Sequence, residues 1–312
     1  VTEFSWSDRP DPVALRALLA AVSAVDGRPA LPAGAGVPGE FHGGEVLLAS
    51  TGGDAAGGDP AGGHLVGCVH LNAEGDAFGR LVAELVVRPA DRRQGIGGRL
   101  VRGLLERAGI AEDAEPGDSL RVWAHGDQPA AAALARRFGF QRVRELRRLR
   151  MPLADRLPAV RLPDGVRLRA FRPGADEDAV VEVNRLAFAW HPEQGTLTAD
   201  DVRAAEREPW FDAAGFLLAV DADDTVLGFH WTKVHPAVGG EPMGEVYVVG
   251  VHPNAQGGGL GKALTLAGLE YLRDVRSVRN VMLYVESDNV PALAVYEKLG
   301  FTFWDADVQY AR

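Results

Sequence analysis

A chain of 312 residues, 46% of them hydrophobic, can fill one large core or two of domain size, and its formal charge of −10 argues against a phosphate-backbone partner. No run approaches the ~18 consecutive apolar residues of a membrane span, and the first residues, VTEFSWSDRPDP, lack the basic-then-apolar order of a targeting segment, so a cytoplasmic protein is expected. The single cysteine, Cys68, excludes an intrachain disulfide and, within the alternating GHLVGCVHL, reads as a small buried residue and not a nucleophile.

In chain order, the first half is interrupted by two Gly- and Pro-rich stretches, 27–44 and 50–63, which read as mobile loops. Then comes ELVVRPADRRQGIGGRLVRGLLERA (84–108), a strand, a proline stop, glycines and a helix, followed by AAALARRFGFQRVRE. RMPLADRLPAVRLPDG (150–165), with Pro152, Pro158 and Pro163, reads as an extended linker. Beyond it, VRLRAF is a strand, EDAVVEVNRLAFA a helix, and FLLAVDADDTVLGFHWTKVH a hairpin turned at Asp223-Asp224. The strand GEVYVVGVHP leads into a helix over 259–273, whose face carries Leu260, Leu264, Ala267 and Tyr271. Strand NVMLYVES, helix VPALAVYEKLG with Gly300 as its C-cap, and strand FTFWDADVQY complete the chain.

Two of these elements recur. VVGVHPNAQGGGLGKALTLAGLEYL (248–272) repeats the pattern of 84–108 at an offset of 164 between Pro89 and Pro253. PALAVYEKLGFTFWD repeats AAALARRFGFQRVRE at an offset of 161 between Phe140 and Phe301. The sequence therefore predicts two tandem domains, 1–155 and 156–312, each of mixed α/β order with a central sheet and helices on both faces. The two differ in charge: residues 1–155 carry 18 basic and 20 acidic side chains, and 156–312 carry 15 and 23. An acidic second half suits a cationic small molecule, or simply keeps the protein in solution.

The glycine runs carry the chemistry. The first N–H groups of a helix have no intrahelical partner and lie at the positive end of its dipole, so they bind an anion without a charged side chain. Gly257, Gly258, Gly259 and Gly261 remove the Cβ atoms that would hold a pyrophosphate away. A Walker loop is excluded because Ala263 follows Lys262, and a dinucleotide fingerprint because GGGLGKAL lies late in its domain and lacks a third glycine in place.

What remains is strand, Gln256-x-x-Gly259-x-Gly261, helix, and this resembles the GNAT superfamily of N-acetyltransferases, whose fold has a mostly antiparallel mixed sheet flanked by helices. The resemblance implies acetyl-CoA as co-substrate, with no metal. It implies contacts from the strand end (Val249, Gly250, Val251), the cradle (Gln256, Gly257, Gly258, Gly259, Leu260, Gly261, Lys262) and the later helix start (Asn289, Val290, Pro291, Ala292, Leu293, Ala294). In the first domain the matching positions are Leu85, Val86 and Val87 on the strand and Arg93, Gln94, Gly95, Ile96, Gly97 and Gly98 in the loop.

AFAWHPEQG, GFHWTKVHP and LYVESDNVPALAVYEKLGF further resemble the mycothiol synthase family of tandem GNAT enzymes, which acetylate the cysteinyl amine of Cys-GlcN-Ins. That resemblance implies Glu245 as general base, acting through water, and Tyr296 as the acid that protonates the departing thiolate. It also implies that Glu193, Lys233, Glu245 and Tyr284 contact the amine substrate, with Glu40 contributing from the first domain. Aligned on the repeat, Glu245 corresponds to Leu81 and Tyr296 to Ala135, so the first domain is expected to bind acetyl-CoA without turnover. His191, His230, His235 and His252 form no recognised metal spacing. The expected protein is a monomer acting on a small amine. Two alternatives stay open: another amine such as an aminoglycoside, or an acyl-CoA sensor without turnover.

Overall fold

The computed structural model describes residues 1–27, 44–52, 64–72, 75–76, 78–154, 156–189, 195, 197–236 and 241–312. Glu40 and Glu193 lie outside the described residues, as does most of the two Gly- and Pro-rich stretches. The chain forms two compact units, one of residues 1–145 with 306–312 and the other of 146–305.

In the first unit, β1 (Thr2–Ser7), β2 (Glu45–Thr51), β3 (His64–Asn72) and β4 (Leu81–Val87) pair antiparallel in that order, and β5 (Leu120–Ala124) joins β4 in parallel. α1 (Pro12–Asp26) begins where the Asp11 carboxylate accepts from Val13 N and Pro12 fills the first turn, and ends at Gly27, whose φ of 69° only glycine adopts readily. Its stripe of Leu15, Leu18, Leu19 and Val22 packs on Val46, Cys68 and Val86. α2 (Ile96–Arg107) covers the opposite face, where Leu100 and Leu104 meet Leu47, Ala49, Val66 and Val69. Alternation along β2 thus sends Val46 to one helix and Leu47 to the other. Cys68 is fully buried and its thiol is pushed up to about 12, by burial first and then by the Glu84 charge. α3 (Pro129–Arg137) follows β5.

The second unit repeats this order with β7 (Arg167–Ala170), α4 (Glu177–Ala187), α5 (Ala199–Ala205), β8 (Phe216–Val220), β9 (Val226–His235), β10 (Met243–Val251), α6 (Leu260–Asp274), β11 (Asn280–Glu286) and α7 (Val290–Leu299). β7 through β10 pair antiparallel and β10–β11 parallel. The hairpin turns where expected, with Asp224 at φ 66°. α6 is held by His230 of β9, whose Nδ1 lies 2.8 Å from the Leu264 carbonyl; a Cβ at Gly268 would overlap that ring. Burial drives the His230 pKa down to about 4, so the imidazole is neutral and donates through Nδ1.

The last strands depart from the repeat order. β6 (Gln141–Pro152) pairs antiparallel with β11, from Leu146↔Glu286 to Pro152↔Asn280, while β12 (Thr302–Ala311) pairs with β5 through Val308–Ala311. Each repeat gives its final strand to the other's sheet. This differs from the division at 155/156 that the repeat and linker predict, because homologous strands fit either slot with the same pattern of main-chain bonds.

β12 is tied into the first unit by buried polar groups. Asp307 accepts from Gly126 N at 2.9 Å, and the Arg312 guanidinium donates to the carbonyls of Phe138, Ala111 and Glu112. His125 stands between Glu84 (Nε2–Oε1 3.4 Å) and Asp307 (Nδ1–Oδ2 3.6 Å). Neither ring nitrogen makes a hydrogen bond of good geometry, so the pairing is ionic. Burial acts most strongly on His125 and disfavours its charge, but the two carboxylates outweigh it and raise the pKa to about 9. A pKa raised on folding contributes stability that is fully present below about 6.5 and lost as pH rises through about 9. Urea unfolding should therefore show stability falling by about 2–3 kcal/mol between pH 6.5 and 9.5, a slope that His125→Gln flattens. An identical slope in that variant would assign the loss to other groups.

Candidate active site

The parallel ladder between β10 and β11 runs from Met243↔Asn280 to Val246↔Leu283 and stops, although β10 continues to Val251 and β11 to Glu286. Beyond Val246 the inner edge of β10 has no strand partner among the described residues, which opens a cleft at its main-chain donors and acceptors. A bulge at the same point, between Val246 and Val248, adds Tyr247 to β10 opposite β9. In the first unit β4–β5 pairing ends likewise at Glu84↔Trp123, with Leu85, Val86 and Val87 running on, but the β3–β4 register is unbroken.

Each cleft ends at a glycine cradle. Gly257 (φ 85°) and Gly259 (φ 81°) turn the chain into α6, and no atom lies within 4 Å of where a Cβ would stand on either. That open space, faced by the unpaired N–H groups of the first helical turn, fits a pyrophosphate. The Gln256 amide closes the strand end by donating to Val251 O at 3.1 Å, and Arg92 does the same in the first unit, Nε to Val87 O at 3.2 Å. There Gly95 (φ 83°) matches Gly259, and Arg93 adopts the left-handed conformation (φ 67°) of Gly257. A cavity of about 600 Å³ extends from this first cradle past Leu85, Val87, Trp123 and His125 to Ala131 and Ala135.

At the mouth of the second cleft, Glu245 lies opposite Lys233 in the β9–β10 register and is 4% exposed. Its Oε2 is 2.6 Å from His235 Nε2. Lys233 Nζ sits over the rings of Trp210 (4.2 Å) and Tyr247 (4.9 Å), and burial lowers its pKa against the opposing charges of Glu245 and Glu208. Burial, then the Glu245 charge, raises the Tyr247 pKa. Trp231 packs edge-on to Tyr247 at 5.4 Å, so the bulge builds an aromatic wall around the lysine. Sequence reasoning missed Trp210, Tyr247 and His235; the i, i+2 spacing of Lys233 with His235 and of Glu245 with Tyr247 was the available signal, but only the register joins the two strands.

Across the cleft, Asn289 caps α7 by accepting from Ala292 N at 3.2 Å, and Val290 and Pro291 form its first turn. The Tyr296 ring packs edge-on to Phe301 at 5.7 Å, against the apolar cluster containing Val246, Leu283, Val285 and Leu293. Burial pushes its phenol up to about 12. Tyr284 lies opposite Arg148 in the β6–β11 register. The structure thus brings Glu245 and Lys233 together and sets Tyr296 in the cluster that includes Val246. Because Tyr247 is an extra residue in β10, the structural counterpart of Glu245 in the first unit is Val82 and not the Leu81 of the sequence alignment; Val82 has no group that exchanges a proton, and Ala135 leaves cavity space. Among the described residues no group of His, Cys, Asp and Glu could hold a metal, and no helix is long and apolar enough to cross a membrane.

Comparison with known proteins agrees with this geometry. Residues 181–301 match the model of the acetyltransferase (GNAT) family, and residues 47–142 that of an acetyltransferase (GNAT) domain. Mycothiol acetyltransferase of Saccharomonospora viridis is 54% identical over 99% of this chain and 98% of its own. That of Actinosynnema mirum is 52% identical over the whole of both. Among solved structures, a GCN5-related N-acetyltransferase from Sphaerobacter thermophilus has a TM-score of 0.69 at 23% identity, covering 99% of this chain and 95% of its own. A tandem GNAT protein from the clavulanic acid biosynthesis pathway has a TM-score of 0.68 at 22%, covering 100% and 98%. These two share the fold. Two cradles, two splayed sheets and identity of this extent along the whole chain place it: the chain belongs to the mycothiol acetyltransferase family, tandem-domain members of the GNAT acetyltransferases.

Proposed function

We propose that the chain moves the acetyl group of acetyl-CoA onto the cysteinyl amine of Cys-GlcN-Ins to give mycothiol, and that the second unit performs the transfer. The observation that carries this reading is the buried Glu245 carboxylate at the mouth of the splay, paired across the ladder with Lys233, in a chain about half identical to mycothiol acetyltransferases. The amine arrives protonated and must lose a proton to attack; Glu245 takes it, directly or through water. The nitrogen then bonds to the thioester carbon, the C–S bond breaks, and the second proton the nitrogen loses on becoming an amide passes through water to Tyr296, replacing the one given to the thiolate. Main-chain N–H groups on the unpaired edge of β10 stabilise the oxyanion between these events. Tyr296 gives its proton to the departing thiolate: burial keeps the phenol protonated, and the same apolar surroundings raise the thiolate's affinity for a proton.

Lys233 and Tyr284 bind the sugar and inositol hydroxyls in this reading, joined by Glu193 and Glu40. The cradle of the first unit, with its cavity, holds a second acetyl-CoA that is not consumed, since Val82 and Ala135 supply no proton transfer. Because β6 and β12 each serve both units, the tests use the full chain.

Titration calorimetry should give two acetyl-CoA molecules per chain, one lost in Gly259→Val and the other in Gly95→Val. One site per chain, unaffected by Gly95→Val, would make the first cradle purely structural. Tyr296→Phe should lower kcat by about 10-fold or more with acetyl-CoA affinity unchanged, general acid catalysis typically contributing ~10² to 10⁴; parallel losses of rate and binding would assign the ring to packing. Removing the inositol from the substrate should lower kcat/KM by about 5-fold to over 100-fold, the expected effect of leaving a charged partner unpaired. An undiminished kcat/KM would show that the polyol is not recognised.

A further inference from the structure

The Glu245 carboxylate has one hydrogen-bond partner among the described residues, His235. We propose that His235 is the positioning residue for Glu245, holding Oε2 so that Oε1 is the oxygen that takes the amine proton; this rests on the reading of Glu245 above.

The contact follows from the strands. His235 ends β9 two residues beyond Lys233, so the two side chains share a face. In the ladder Lys233 is opposite Glu245 and His235 is opposite Met243, which makes His235 the diagonal neighbour of Glu245. The 2.6 Å separation is that of a charge-assisted bond in which Nε2–H donates to the carboxylate. Exposure is unequal: the Glu245 side chain is 5% exposed and that of His235 22%, so the imidazole separates a buried carboxylate from solvent. Lys233 does not share this task, because its ammonium lies over Trp210 and Tyr247 and makes no ion pair among the described residues.

A carboxylate with neither oxygen held turns about its own bond and offers either lone-pair set. Tying Oε2 removes that freedom and leaves Oε1 for the amine, and orientation of this kind is a large part of what an active site contributes. In the transfer, the substrate ammonium gives one proton to Oε1, the nitrogen lone pair forms the C–N bond as the C–S bond breaks, the nitrogen's second proton replaces by way of water the one Tyr296 gives to the thiolate, and Glu245 ends as a neutral acid still held by His235. Lys233 across the ladder, Tyr247 on the same strand and Glu208 beyond Lys233 are the other titratable groups around this pair, and none of them exchanges a hydrogen bond with it among the described residues.

The experiment compares wild type, His235→Ala and His235→Gln across pH 5.5–9 with saturating acetyl-CoA. His235→Ala should lower kcat by about 10-fold or more, with the acetyl-CoA KM and the thermal midpoint unchanged. His235→Gln keeps an N–H donor for Oε2 and should recover most of kcat. Wild-type kcat in His235→Ala, a drop shared by acetyl-CoA binding and the thermal midpoint, or a His235→Gln variant no more active than His235→Ala would overturn the proposal. Failure of the underlying reading looks different. If Glu245→Gln retains full kcat, Glu245 is not the base; if wild type acetylates another amine instead of Cys-GlcN-Ins, the substrate is wrong and the same variants decide the role of His235 on that amine.

Discussion

The interruption of one parallel ladder governs the rest of this structure. Main-chain groups of β10 and β11 pair as far as Val246↔Leu283, and beyond it that edge of β10 has no strand partner among the described residues. The cradle lies at the far end of that same edge, since the strand runs through a short 3-10 turn, Pro253–Ala255, into Gly257–Gly261 and α6. A ligand that is phosphate at one end and amide-rich along its length meets matched partners over the whole distance. Glu245 belongs to the last paired stretch, which fixes its position as rigidly as the sheet itself.

The two units share one frame, and small local differences separate them. Both have the splay, the cap on the strand-end carbonyl and the left-handed turn into the helix. In the second unit a bulge adds Tyr247 and gathers Lys233, Trp210 and Trp231 beside Glu245. The first unit has an unbroken register, small residues on α3 and, at the end of its cavity, an imidazolium held by Glu84 and Asp307. A histidine kept charged between two carboxylates is poorly suited to accept a proton.

Strand exchange makes the halves mutually dependent in a way that a repeat does not reveal. Deleting β12 and the residue after it would remove from the first unit the Asp307 carboxylate and the Arg312 guanidinium, both buried and both bonded to its main chain. Deleting β6 would expose the edge of β11 from Asn280 to Glu286. Selection for a strand in either slot acts on the same alternation of apolar residues, so the sequence pattern is the same whichever sheet receives it.

The sequence by itself determined the elements that depend on neighbours along the chain: the hairpin turned at Asp224, the Gly259 entry to α6, the Gly300 exit from α7 and the two cradles, whereas the β10 bulge moved the counterpart of Glu245 from Leu81 to Val82. These rest on local backbone conformation and on spacing, both readable from one strand of text. Tertiary structure alone decided which sheet each last strand joins, where β10 bulges, and that His125 meets both Glu84 and Asp307 across |i−j| separations of 41 and 182. It likewise decided that His235 meets Glu245 and that Lys233 lies in an aromatic wall. The physical reason is the same in each case: these contacts are set by register between strands, and a register is fixed by the packing of whole faces, not by any single residue in it.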